Sequence, residues 1–333
     1  MSTSTPSRHA SLRRALLIGA CALAATGAAW AQADWPKDQI ITWVVPYPPG
    51  GSTDVLGRNL AQRVGPALGT RVIVDNKAGA TGTIGAAYVA KATPDGLTLL
   101  GTSIGPQAIA PHLMGKLPYD PIKSFAPVIT VGTIPHILVV GANQPFKTVA
   151  ELIAAAKAQP GRLAFASGGN GTILQMQGEL LKQQTGTQFI HVPYKGDTPA
   201  LQDTLGEQVN FMFAPAAAAL PHVQAGKLRA LAVAADQRAR DLPDVPTATE
   251  AGYPGYEAYA WTGVFFPAKT PKAIVQQVGD VVRKTLQGPE GTAFIQNMGG
   301  AVYTGSAQQF ADFQLAEIAQ TRRIVKTANI PVE

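Results

Sequence analysis

Apolar and polar positions fall into blocks along the chain, and the blocks predict strands and helices in turn. Ile40, Ile41, Thr42, Trp43, Val44 and Val45 form an apolar, β-branched run that stops at Pro46-Tyr47-Pro48-Pro49-Gly50-Gly51, as a strand buried on both faces does. After it Leu56, Leu60, Val64 and Leu68 recur at helical spacing, with Arg58, Gln62 and Arg63 on other faces. Ser52 or Thr53 stands at the capping position, and Gly69 sits where a helix ends in a left-handed residue. Arg71 to Val74 predicts a second strand, Gly85 to Ala92 a helix, and Leu97 to Gly101 a third strand after the turn Pro94-Asp95-Gly96. This rhythm implies an α/β fold, a parallel sheet with helices on its faces.

The rhythm restarts after a passage holding Pro106, Pro111, Pro118, Pro121 and Pro127. Ile137 to Val140, Leu163 to Ala166 and Phe189 to Val192 predict strands; Thr148 to Gln159, capped by Thr148, and Thr172 to Gln184, ended by Gly186, predict the helices between them. Further on, Thr198 to Leu205 reads as a helix, Val209 to Phe213 and Leu228 to Val233 as strands, and Leu242 to Gly255 as a proline-bearing loop. Tyr259 to Phe266 reads as an aromatic-rich strand, and the amphipathic stretches Lys272 to Leu286 and Ala307 to Thr327 as helices that return to the first unit. Two α/β units in succession are predicted.

Residues 1–33 stand outside this pattern. Arg8, Arg13 and Arg14 precede the apolar run Ala15 to Ala29, and Ala31-Gln32-Ala33 offers the small-x-small site of an export leader, so cleavage after Ala33 is expected. Ser11-Leu12-Arg13-Arg14-Ala15-Leu16 is also a loose twin-arginine match, which leaves the export route open. No later stretch reaches the ~18 apolar residues of a membrane span.

Composition narrows the function. Of 333 residues, 46% are hydrophobic and 14% charged, which fits a globular chain and excludes a disordered one. Losing the leader removes three arginines and the sole cysteine, Cys21, which halves the formal charge of +6 and leaves no thiol, as suits an oxidising compartment. So weak a charge, without a dense Lys/Arg run, gives no footprint for nucleic acid or an anionic membrane.

Three segments can carry chemistry. Tyr47-Pro48-Pro49-Gly50-Gly51-Ser52-Thr53-Asp54 joins a buried strand to a helix, where backbone N–H groups and the helix dipole favour an anion, a carboxylate above all. Ser167-Gly168-Gly169-Asn170-Gly171-Thr172 has the same form in the second unit and lacks the lysine and spacing of a nucleotide loop. His191-Val192-Pro193-Tyr194-Lys195-Gly196-Asp197-Thr198 is the third, with Tyr194 and Lys195 available to a ligand. Any strand-to-helix corner uses Gly and Ser/Thr in this way, and Lys195 is equally at home in solvent. Two such turns in two units are nonetheless what a clamp for a two-headed acid needs. Trp261, beside Tyr259, is a candidate apolar wall for the ligand and also a natural core residue.

Signals for catalysis and metal binding are weak. His112, His136, His191 and His222 show no metal-ligand spacing, and no Gly-x-Ser-x-Gly elbow occurs.

Taken in order with Val74-Asp75-Asn76-Lys77-Ala78-Gly79, Asp95-Gly96-Leu97-Thr98-Leu99-Leu100 and Leu242-Pro243-Asp244-Val245-Pro246-Thr247, these segments resemble one family from about residue 36 to 330. It is the Bug family of extracytoplasmic solute receptors, the substrate-binding proteins of tripartite tricarboxylate transporters. The resemblance implies a two-lobed periplasmic-binding-protein fold of the type II, Venus-flytrap topology, with two crossover strands near residues 136 and 256 as hinge. Lobe 1 is expected at residues 34–136 plus 257–333 and lobe 2 at 137–256. The implied protein is a periplasmic monomer that holds a small organic acid between its lobes and delivers it to a membrane permease, or to a two-component sensor kinase. No cofactor, metal or enzymatic step is expected, a secreted carboxylate-acting enzyme being the remaining alternative.

Carried onto this chain, Tyr47, Pro48, Gly50, Gly51, Ser52, Thr53 and Asp54 correspond to the loop that holds one ligand carboxylate through backbone groups and ordered waters. Ser167, Gly168, Asn170, Gly171 and Thr172 correspond to the partner loop, and Tyr194, Lys195, Gly196 and Asp197 to a third contact loop. Met212-Phe213-Ala214-Pro215 stands where many members read Met-Phe-Asp, so an acidic partner for a ligand ammonium is missing there. The expectation therefore moves from amino acids toward plain di- or tricarboxylates or aromatic acids. Lys77-Ala78-Gly79-Ala80-Thr81-Gly82 also departs from the commoner Pro-Gly-Ala-Gly-Gly.

Overall fold

The computed structural model describes residues 35–235, 237–253, 260–327 and 329–330; the expected leader, the hinge position at 256 and Tyr259 lie outside the described residues. The first unit runs β1 (Ile40–Val45), α1 (Ser52–Ala67), β2 (Arg71–Asn76), α2 (Thr83–Ala90) and β3 (Thr98–Ser103). β1 pairs in parallel with both β2 and β3, which requires a crossover helix on the sheet face each time. A helical turn at Gly105–Ile109 leads into α3 (Ala110–Leu113), and β4 (Phe125–Ile134) follows.

At Pro135 the chain leaves one sheet for another. The second unit runs β5 (His136–Gly141), α4 (Val149–Ala158), β6 (Ala164–Ser167), α5 (Ile173–Thr185), β7 (Ile190–Pro193), α6 (Asp197–Leu205), β8 (Phe211–Pro215), α7 (Ala216–Gln224) and β9 (Leu228–Ala234). The chain then returns to the first sheet through β10 (Ala260–Pro267), α8 (Lys272–Gln287), α9 (Pro289–Asn297), β11 (Ala301–Val302) and α10 (Ala307–Thr327).

Two sheets result, one ordered β11-β4-β10-β3-β1-β2 and the other β7-β6-β8-β5-β9. β10 lies antiparallel between β3 and β4, and β5 lies antiparallel between β8 and β9. The sheets define two lobes, and each is covered on both faces. On one face of the first sheet, Leu56, Leu60, Val64 and Leu68 of α1 pack with Ile41, Trp43 and Val45. Each such leucine contributes about 1.5–3 kcal/mol by leaving water. On the other face, Trp261, Phe265 and Phe310 pack with Val44 and Leu100.

Local signals worked where they were local. Thr148 and Thr172 cap their helices by accepting from Glu151 N and Gln175 N, and Gly69 and Gly186 take positive φ of 69° and 63°. The α1 cap differs, since Gly51 holds that position without a side-chain cap bond, and Thr53 is buried instead. Among the elements that were hidden, three carry proline. β4 contains Pro127, one of the prolines of the passage between the two units, and Gly132. The sheet tolerates Pro127 through a register shift between Val264 and Phe265, and Gly132 admits Ala301 O, which a Cβ would approach to 2.8 Å. α7 carries Pro221 inside it, and α9 starts on Pro289, so both were masked by proline.

Candidate functional site

The turn after β1 is shaped by Asp54. This side chain, 2% exposed, reaches back from the first turn of α1, and its Oδ2 accepts from Gly50 N at 2.9 Å and Arg58 Nε at 3.0 Å. Its Oδ1 accepts from Asn76 Nδ2 at 2.8 Å, and the same amide donates to Tyr47 O at 3.0 Å. Burial alone would push the carboxyl up, but the hydrogen bonds from Arg58, Gly50 and Asn76 together hold it below the usual range. Asp54 was expected among the ligand contacts; the structure instead places its carboxylate on the loop itself. Gly50, at φ 84°, and Gly51, Pro48 and Pro49 are exposed, and the first N–H groups of α1 have no side-chain cap, so this end of the helix is open to an anion.

Tyr47 lies at the mouth of the same turn. Its hydroxyl pairs with Ser103 Oγ at 2.7 Å, at the end of β3, and burial pushes its pKa to about 12. The Asp197 carboxyl, in the other lobe, adds to that rise.

The turn after β6 folds on its own hydroxyls. Ser167 is fully buried, with Oγ at 2.6 Å from His191 Nε2 and donating to Gly169 O at 3.1 Å. Thr172 Oγ1 donates to Gly169 O at 2.8 Å, and Gly171 N donates to Gln175 Oε1 at 2.7 Å. These hydroxyls, expected as ligand donors, are therefore occupied within the loop, because a turn with Gly169 at φ 130° and Gly171 at φ 73° needs internal bonds to hold it. Gly168 is half-buried and Asn170 is exposed.

The third loop is laced to the second. Tyr194 N donates to Ser167 O at 2.9 Å and Gly196 N to Gly168 O at 3.0 Å. Tyr194 Oη donates to Asp203 Oδ2 at 2.7 Å, so that hydroxyl is engaged inside lobe 2, while Lys195 is exposed to solvent. Asp197 opens α6 with its carboxylate laid over Gly168, where a Cβ would meet Oδ1 at 2.2 Å. Burial raises the Asp197 carboxyl to about 6.

Across the cleft the lobes touch. Thr81 Oγ1 donates to Asn170 O at 2.9 Å, and a Cβ on Gly171 would meet Thr81 Oγ1 at 3.1 Å and Leu113 Cδ1 at 3.4 Å. On the lobe 1 side a Cβ on Gly105 would come within 2.8 Å of Tyr47 Oη and 3.1 Å of Thr81 O. Thr81 thus faces Asn170 and Gly171, Tyr47 feels the Asp197 charge, and Ser103 and Gly105 lie beside Tyr47 and Thr81. Thr81, Ser103 and Gly105 escaped sequence reasoning; the one available signal was the unusual Gly79-Ala80-Thr81-Gly82 segment.

Trp261 is not a wall of this cleft. It is fully buried in lobe 1, edge-on to Phe310 at 5.6 Å and Phe313 at 5.8 Å, and its indole N–H donates to Glu317 Oε2 at 3.0 Å. The last helix, α10, covers the face of β10 that Trp261 takes, so this large aromatic goes to the core. A cavity of about 590 Å³ beside Pro135, bordered by Leu220, Arg238 and Tyr303, includes none of the turn residues and is separate from the cleft. Among the described residues no three His, Cys, Asp or Glu side chains gather as a metal site, and no helix is long and apolar enough to cross a membrane.

Two α/β lobes, a chain that crosses between their sheets at Pro135, and a contact from Thr81 to the glycine-rich turn at the carboxyl end of β6 define a two-lobed binding protein. The comparisons make the class specific. Residues 56–330 match the model of the tripartite tricarboxylate transporter family receptor, and the chain belongs to that family. It is 35% identical to Protein BugT of Bordetella pertussis over 311 residues, 93% of this chain and 95% of BugT. Among solved structures it is similar to R. palustris Rpa4515 with adipate, at TM-score 0.85 and 36% identity over 90% of this chain and 99% of that one. It is similar also to MatC (Rpa3494) from Rhodopseudomonas palustris with bound malate, at TM-score 0.80 and 32% identity over 87% of this chain and 99% of that one. The family and fold are those of periplasmic binding proteins, which bind small carboxylates, work with transporter permeases and are not enzymes.

Proposed function

We propose that this chain is an exported, periplasmic, non-catalytic receptor that captures a di- or tricarboxylate or an aromatic carboxylate between its lobes and hands it to a tripartite tricarboxylate-type permease. Lobe 1 comprises residues 34–136 plus 257–333 and lobe 2 residues 137–256, with residues 1–33 removed on export. The observation that carries this reading is the approach of the two lobes at the glycine-rich turn after β6, where Thr81 of lobe 1 donates to Asn170 O of lobe 2. The turn after β1 opens α1, whose N-terminus attracts an anion, and neutral donors hold an anion while allowing its release. Adipate in one similar structure and malate in another support a carboxylate as the guest.

The test is thermal unfolding of the chain recovered from the periplasmic fraction, refolded to strip carried-over ligand, against dicarboxylates, tricarboxylates, aromatic acids and amino acids. An acid at a hundred times its Kd adds about 2.7 kcal/mol of stability. A shift from one acid class, with the acid recovered unchanged, is the expected result. Chemical conversion of the acid, or recovery of the protein only from the cytoplasm, overturns the reading.

A further inference from the structure

Asp197 is an acid in a cleft otherwise built from neutral donors. Its carboxylate sits against Gly168, a position that any side chain at 168 would deny it, since a Cβ there would lie 2.2 Å from Oδ1. The ionisable groups around it are Tyr47 across the cleft, Tyr194, Lys195 and Asp203 on its own segment, and His191 behind Ser167. None of them pairs with it: Tyr47 is held by Ser103, Tyr194 by Asp203 and His191 by Ser167, and Lys195 is exposed. Among the described residues burial is the sole influence on its titration, which leaves the group largely ionised at neutral pH.

Asp197 is half-buried at the cleft with no group among the described residues paired to it, and an ionised carboxylate accepts only from O–H or N–H, here from water or from whatever fills the cleft. A ligand that closes the cleft over Asp197 displaces that water and must then supply the donor itself. We propose that Asp197 determines specificity: the ligand is an organic acid that also carries a hydroxyl or an ammonium group, set on the Asp197 carboxylate while its own carboxylate meets the N–H groups of the turns. This rests on the carboxylate-receptor reading above and reverses the expectation of a plain acid drawn from Ala214, because an acid is supplied from the loop after β7 instead. A plain acid leaves Asp197 unpaired and adds like-charge repulsion, the arrangement by which a site rejects an analogue that lacks the donor.

The test is calorimetric titration of the refolded chain at neutral pH with matched acids on one skeleton: succinate, hydroxysuccinate and aminosuccinate; adipate with its hydroxy and amino forms; benzoate with its hydroxy and aminomethyl forms. On the skeleton that binds, the donor-bearing acid is expected to bind at least about tenfold more tightly than the plain one. Asp197→Ala erases that gap. Asp197→Asn, nearly isosteric and readable even where the alanine variant fails to fold, erases it for the ammonium and keeps part of it for the hydroxyl, which separates the two sources. Equal or tighter binding of the plain acid, or a gap that survives Asp197→Ala, overturns the proposal and leaves the receptor standing. Plain-acid binding that strengthens as the pH falls, and becomes pH-independent in Asp197→Asn, overturns it in favour of a carboxyl that donates its own proton. Absence of binding by every acid overturns the receptor reading itself, and this proposal with it.

Discussion

The hydroxyl of Thr81 in lobe 1 donates to the main-chain carbonyl of Asn170 in lobe 2 at 2.9 Å. Thr81 reaches across from backbone that side chains avoid: Ala80 and Thr81 have φ of 45° and 56°, conformations that cost of order 1–3 kcal/mol each. The partner carbonyl lies on an exposed residue between Gly169 and Gly171, both at positive φ. Two irregular segments therefore meet at one hydrogen bond, and their shapes are set by the lobes behind them.

Thr81→Ala removes that bond and keeps the backbone strain. A neutral hydrogen bond contributes about 0.5–1.5 kcal/mol, so the variant is expected to bind the acid roughly 2- to 12-fold more weakly. Thr81→Ser restores affinity. Small-angle scattering is expected to show a larger apo radius for the alanine variant, with an unchanged unfolding midpoint. Wild-type affinity and radius in Thr81→Ala would remove the latch from the mechanism.

Much of this architecture was legible because it is written locally. The run from Ile40 to Val45, the i+4 leucines of α1, the caps at Thr148 and Thr172 and the glycines at 69 and 186 each carry their own reason within a few residues. The two glycine-rich turns were legible as strand-end corners, and the second of them meets Thr81 of lobe 1. What the local pattern does not carry is what depends on distant partners. Asp54 reads as a ligand residue until Asn76, 22 positions on, is seen to bind it. Ser167 reads as a donor until His191, 24 positions on, takes its hydroxyl. Pro127 reads as a breaker until β10 shifts register beside it.

Gly171 and Gly186 make a controlled pair. Both have left-handed backbone, φ 73° and 63°, so alanine at either position costs about 1–2 kcal/mol of stability. A Cβ at 186 meets nothing, whereas at 171 it presses on Thr81 Oγ1 at 3.1 Å and Leu113 Cδ1 at 3.4 Å. Gly171→Ala and Gly186→Ala are therefore expected to show similar losses in denaturant midpoint, but only Gly171→Ala weakens acid binding in calorimetry. Equal affinities in the two variants would mean that the lobes do not approach at this point.

Asp54 acts on the ligand through the turn it holds. Asp54→Asn leaves one amide N–H pointed at donors on Gly50, Arg58 or Asn76, and a buried group left unpaired costs about 1–3 kcal/mol. Loss of both stability and affinity is expected. Because the native carboxyl titrates below its unfolded value, the stability it contributes is present above the ordinary carboxylate pKa and fades as the pH falls through the depressed one. The difference in midpoint between wild type and Asp54→Asn should therefore shrink on acidification below about pH 4. A constant difference across that range would assign the effect to packing.

Glu317 has the opposite sign. Burial raises its carboxyl from 4.5 to about 7, with the hydrogen bond from Trp261 pulling the other way. Between those values the folded chain keeps a proton that the unfolded chain releases, so this group's contribution falls as the pH rises through the window and stays low above it. Below about pH 4.5 both states are neutral and Glu317 costs nothing. Glu317→Gln is uncharged at every pH and its Oε1 still accepts the indole N–H, so the variant is expected to match wild type near pH 4.5 and to melt at a higher temperature near about pH 8. His136 and His191, both lowered to about 4 by burial, titrate in the other direction but are common to the two proteins, so the difference isolates position 317. Scanning calorimetry at the two pH values decides it: parallel midpoints throughout would show that water reaches the Glu317 carboxylate in the folded chain and that Trp261 is anchored by packing alone.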